Sequence, residues 1–165
     1  MSFQTDPIDG AQAAARDPIY EKVSKLSVLD AAYHLWQAKR RLDASEGSPL
    51  FQKIEPTPDV SEPGILHDLI ASTISTIKRE RQSAHEGPTL RRLLIAHPDI
   101  TEEVAKDAIR QAVSLEDAGH AALISLGYQL QNVSRAIEIA RDANPGFSEK
   151  IYRLLWHQLS YEACK

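Results

Sequence analysis

Glu116, Asp117 and His120 are the densest group of residues able to do chemistry. Carboxylates and an imidazole at helical spacing put Asp117 and His120 on one face, the raw material of a metal site. Di-iron helical bundles use a Glu-x-x-His pair on each of two helices and a Glu from each of two more. Here the spacing is Glu-x-x-x-His and no second copy exists. His67 with Asp68 and His157 with Glu162 do not complete a set. The expectation is therefore no metal: these polar residues surround Gly119 at a helix junction and face water.

Other chemistry has less to stand on. No serine sits in a glycine-flanked elbow. Cys164, the only cysteine, is next to the last residue and lacks neighbours that would lower its pKa. His34 beside Trp36 and His157 beside Trp156 have no paired carboxylate at helical spacing, so both read as boundary histidines satisfied by water. His120 precedes Leu123, Ile124 and Ser125, whereas a phosphotransfer histidine is soon followed by lysine and glycine. The seven glycines are scattered at helix ends and form no phosphate loop. The expectation is a protein that is not an enzyme, with no catalytic residue and no cofactor.

Composition agrees with an ordinary globular chain. Of 165 residues, 42% are hydrophobic and 25% charged, enough for one self-supporting core. Aromatics are sparse, so alanine and leucine fill the core and favour close-packed helices. A single cysteine excludes an intrachain disulfide. The N-terminus carries no basic-then-apolar signal and no window approaches a membrane span, which reads as cytoplasmic.

The net charge of −4 does not draw phosphate backbones over the whole surface. Local basic clusters exist at Lys39-Arg40-Arg41, Lys78-Arg79-Arg81 and Arg91-Arg92. Two helices joined at His97-Pro98-Asp99 could form a helix-turn-helix, but the second begins Thr101-Glu102-Glu103, which repels phosphate. A nucleic-acid-binding regulator using these basic helix ends is the alternative reading.

The elements that position these residues are all helical, with no hairpin signal or lasting alternation. Residues 1–16 read as a flexible arm and 17–165 as one helical domain. A proline-containing linker over 44–61 interrupts it, with Leu50, Phe51 and Ile54 tucking into the bundle. Asp17-Pro18 starts a helix, and Ser27 with Asp30 offers a second start. Leu66, Leu69, Ile70, Thr73, Ile74 and Ile77 form one apolar stripe after Pro63. Pro88 and Pro98 bracket a short helix, and Thr101 caps another with the stripe Val104, Ala108, Ala112 and Leu115. Leu123, Leu126, Leu130, Val133, Ile137 and Ala140 keep a three-four rhythm that predicts one helix running through Gly127. Asn144-Pro145-Gly146 ends it, and Ser148 opens a last helix. The prediction is all-α: a single-domain bundle of five or six helices.

Part of this pattern resembles a ubiquitin-associated (UBA-type) three-helix module within 120–158. Leu126-Gly127-Tyr128 matches the loop after that family's first helix. Val133, Ala136, Ile137 and Ala140 match its second helix, and Leu154-Leu155 its third. The resemblance implies a partner-binding patch on the loop and last helix.

Bulky residues also lie off the main stripes: Ile124, Ile139, Tyr152 and Trp156. Helices apolar around much of their girth need two neighbours, from the bundle or from outside it. The expected role is a non-enzymatic protein-interaction domain: an adaptor, regulator or small subunit that binds another protein or itself. The residues expected to touch the partner are Leu126, Tyr128, Tyr152, Leu155 and Trp156.

Overall fold

The computed structural model describes residues 17–45 and 63–165; the arm, most of the 44–61 linker and the expected tucking of Leu50, Phe51 and Ile54 lie outside them. Among the described residues there are eight α-helices and no strand, so the protein is all-α. They are α1 Pro18–Val23, α2 Val28–Gln37, α3 Lys39–Ser45, α4 Pro63–Gln82, α5 Pro88–Ala96, α6 Glu102–Ser125, α7 Val133–Ala143 and α8 Glu149–Ala163. None is long and apolar enough to cross a membrane.

The helix starts follow local capping chemistry. The Asp17 carboxylate accepts from the Ile19 amide, Ser27 Oγ from Asp30 and Thr101 Oγ1 from Val104, each satisfying an amide that the first turn leaves orphaned. Ser148 makes no such bond. Its amide instead donates to the buried carboxylate of Asp30, 118 residues earlier, at 3.0 Å. That contact fastens the start of α8 to the start of α2.

The long helix α6 is the spine, and α2, α5, α7 and α8 pack around it. Ile109, Leu115 and Leu123 of α6 are fully buried, as are Leu35, Ile151, Leu155 and Leu159 from α2 and α8. Each such side chain contributes roughly 1.5–3 kcal/mol of burial. Tyr33, Phe147 and Tyr152 meet edge to face at 6.3 and 6.2 Å and close the opposite flank. Ala108, Ala112 and Leu115 of the expected α6 stripe are buried, together with the flanking Ala105, Ile109 and Val113; only Val104, in the first turn, is exposed.

Two glycines exchange the roles expected of them. The helix runs unbroken through Gly119, where a Cβ would sit 3.1 Å from Leu155 Cδ2 and 3.2 Å from Leu159 Cδ1. Gly119 therefore lets α8 approach α6 closely instead of marking a junction. The break falls at Gly127, at φ +95° in open surroundings. The single helix expected from Leu123 to Ala140 is two helices at a turn. The apolar rhythm survives the break because Val133, Ile137 and Ala140 return to the same core from α7.

The other departure is α4. Thr73, Ile74 and Ile77 of its expected core stripe are exposed, Ile74 at 60%, and the side chains of Leu66, Leu69 and Ile70 lie outside the described residues. Charges near its C-terminal end hold it instead, through Lys39–Glu80 at 3.6 Å and Arg81 on α6.

Candidate functional site

The residues weighed as metal ligands are tied into a structural knot. Glu116 is buried on α6 and its carboxylate is filled by donors from three other helices. Trp36 Nε1 of α2 donates at 2.8 Å, Arg81 of α4 at 2.9 Å and Gln158 Nε2 of α8 at 2.8 Å. Arg81 also donates to Asp117 and lies over the Trp36 ring at 5.7 Å. Burial alone would raise the Glu116 pKa, but the donors from Gln158, Trp36 and Arg81 outweigh it and hold the carboxyl below its usual range. His120 pairs with Glu162 at 2.7 Å rather than with its own helix's acids. Glu116 thus does not face water as expected. Among the described residues no three His, Cys, Asp or Glu side chains converge on one point.

Four residues of the basic clusters, Arg81 among them, are spent in the same way. Lys39 meets Asp43 and Glu80, Arg41 meets Asp17, and Arg92 meets Asp43 at 2.7 Å with both partners buried. The turn at His97-Pro98-Asp99 does join two helices, and α6 presents Glu102 and Glu103 at its start.

A different place gathers apolar surface. At the end of α6 the Gly127 amide donates to Ile124 O at 3.1 Å and the Tyr128 amide to Leu123 O at 2.8 Å. That pair of bonds is a Schellman stop, which needs a left-handed residue just past the cap and finds it in Gly127. Tyr128 is itself left-handed, at φ +52°, which few non-glycine residues adopt. Asn132 then donates its side-chain amide to Leu126 O and stabilises the turn from the far side. The turn directs Tyr128 and Leu130 outward before Val133 enters the core. Ile124, one turn back on α6, is 65% exposed.

The last helix borders this corner. Trp156 Nε1 donates to Ser134 Oγ at 3.3 Å, which lays the indole across the start of α7, and the ring stays more than a third exposed. Of the residues expected to contact a partner, Tyr128 is exposed on the turn and Trp156 against the start of α7, and Leu126 is half-buried. Tyr152 and Leu155 are not available: they are 4% and 0% exposed. Tyr152 donates to Asn144 O and stacks under Arg141, and Leu155 packs over Gly119. Leu154, next to Leu155, is on the outer face of α8. Leu130 has the spacing of the buried seam yet is half exposed, because the turn places residues 126–132 between α6 and α7. No sequence signal distinguishes it from a seam residue. No family model, curated protein or solved structure matches this chain.

Proposed function

We propose that the chain is a non-enzymatic protein-interaction domain, an adaptor or small subunit whose partner docks on the corner formed by the α6–α7 turn and α8. The observation that carries this reading is the exposure of Ile124, Tyr128 and Leu130 within seven residues of chain, with Trp156 exposed against Ser134 at the start of the next helix. Large apolar side chains scattered singly on a surface mean little, but a rigid group with two aromatics is the composition of an interface centre. The Schellman stop and the Asn132 bond pre-order the turn, which lowers the entropy lost on docking. The ubiquitin-associated resemblance implies a patch at the same loop and last helix.

Site-specific photocrosslinking in the native cells tests it. A benzophenone side chain at position 128 and one at 156 are expected to capture the same protein. One at exposed Asp142 captures nothing. Capture of unrelated species from 128 and 156, or none from either, overturns the reading.

A further inference from the structure

A second surface lies along α4, independent of the corner. Ile74, Ile77, Lys78, Arg81 and Gln82 face Asp117 of α6 across a depression of about 460 Å³. A neighbouring depression of about 350 Å³ shares Arg81, Gln82 and Asp117, and extends it to Arg110 and Val113 of α6. Together they make one groove between the two helices.

Its chemistry is mixed in a specific way. The floor toward the middle of α4 is apolar, from Ile74 and Ile77, both exposed. The walls carry three cations, Lys78, Arg81 and Arg110, with Asp117 in the lining and Glu116 and Asp107 meeting Arg81 and Arg110 from behind it. Arg81 is engaged by Glu116 and Asp117. Arg110 meets Asp107 only at the surface, where an ion pair contributes little. Lys78 has no ion pair among the described residues.

The helix itself is short of burial. Ser72-Thr73-Ile74-Ser75-Thr76-Ile77 is rich in β-branched residues, which are poor intrinsic helix formers. Helices of this length hold in water mainly by burying an apolar face, and here Ile74 and Ile77 of that face are open. A nucleic acid would use the cations but leave the isoleucines wet. A helix with apolar residues at i, i+3, i+4 and i+7 and carboxylates along their edges matches both features.

We propose that the groove between α4 and α6 binds an acidic amphipathic helix of another protein, with apolar residues on Ile74 and Ile77 and carboxylates toward Lys78 and Arg110. The site is separate from the α6–α7 corner, so the chain has two docking surfaces of different chemistry.

Fluorescence anisotropy with the full chain tests this directly. The probe is a labelled synthetic helix of about 18 residues, long enough to hold helix, with leucines at the stated spacing and glutamates elsewhere. One control replaces the glutamates with lysines, another scrambles the order, and a third is single-stranded DNA. The acidic amphipathic probe is expected to bind at least about tenfold more tightly than any control, and Ile77→Asp or Lys78→Glu to weaken it by about tenfold or more. Trp156→Ala leaves it unchanged, which separates this groove from the corner. Circular dichroism checks that the variants fold, and Ile77→Ser replaces the aspartate variant if it does not. Equal binding of the lysine or scrambled probe, tighter binding of the DNA, indifference to both substitutions, or no binding overturns the proposal.

Discussion

The α6–α7–α8 unit and the α3–α4 segment are held by different forces. In the first, Gly119 admits Leu155 and Leu159 against the α6 backbone, and fully buried aliphatic side chains dominate. In the second, among the described side chains, Leu42 is buried and the other attachments are charged: Asp43 to Arg92 and Lys39, Glu80 to Lys39, and Arg81 to Glu116 and Asp117. Apolar packing is non-directional and insensitive to pH. Buried ion pairs confer geometry at a desolvation cost and become liabilities once a partner is lost. The comparison explains why one part has a closed core and the other an open apolar helix face.

Five substitutions or conditions would break or sharpen that contrast. Asp43→Ala removes the buried carboxylate that Arg92 and Lys39 both meet, and is expected to cost about 3–5 kcal/mol in urea denaturation. Leu155→Ala opens a cavity above Gly119 and is expected to cost about 2–5 kcal/mol. If the aliphatic variant proved the milder by far, the division of labour would need redrawing. Glu116→Gln keeps the shape and removes the charge shared by Trp36, Arg81 and Gln158, for an expected loss of about 1–3 kcal/mol.

Acid provides the same test without mutation. Because the folded Glu116 carboxyl is held below its usual 4.5, its contribution is full above that pH and is lost as pH falls through the lowered value. Hydrogen exchange should show the amides at the C-terminal end of α4 losing protection in that window, before those of α7. His34 adds to the acid sensitivity from a higher pH. Burial first, then Lys22 and Lys150, lower its pKa, so its contribution is present above 6.5 and declines below it. The smallest expected effect is at the turn. Gly127→Ala meets no atom within 4 Å, so only the left-handed backbone resists it, at about 1 kcal/mol. A thermal melt resolves that shift.

What could be read along the chain was what neighbours in sequence decide. Asp17-Pro18, Ser27 and Thr101 mark helix starts because the capping bond closes within three residues. The roles of Gly119 and Gly127 were inverted because each depends on what lies opposite: α8 presses on the first and nothing on the second. Glu116 was read as wet because its donors come from 80, 35 and 42 residues away. The α4 stripe has the spacing of a core helix, and spacing carries no information on whether a neighbour arrives to cover it. Trp156 is legible as an aromatic off its stripe, and Tyr128 through the loop-like Leu126-Gly127-Tyr128. Tyr152 and Leu155 were misplaced, since one helix step separates the buried from the open face of α8.

The chain's two tryptophans divide between these regions, and each carries its own optical signal. Trp36 is enclosed at the knot with its N–H bonded to Glu116 and Arg81 above its ring. Trp156 lies open on the corner beside His157. Emission from Trp36 is therefore shielded from a soluble quencher such as acrylamide, whereas Trp156 is accessible to it. Replacing either with phenylalanine leaves a single emitter, one reporting the charge-held junction of four helices and the other the proposed docking corner.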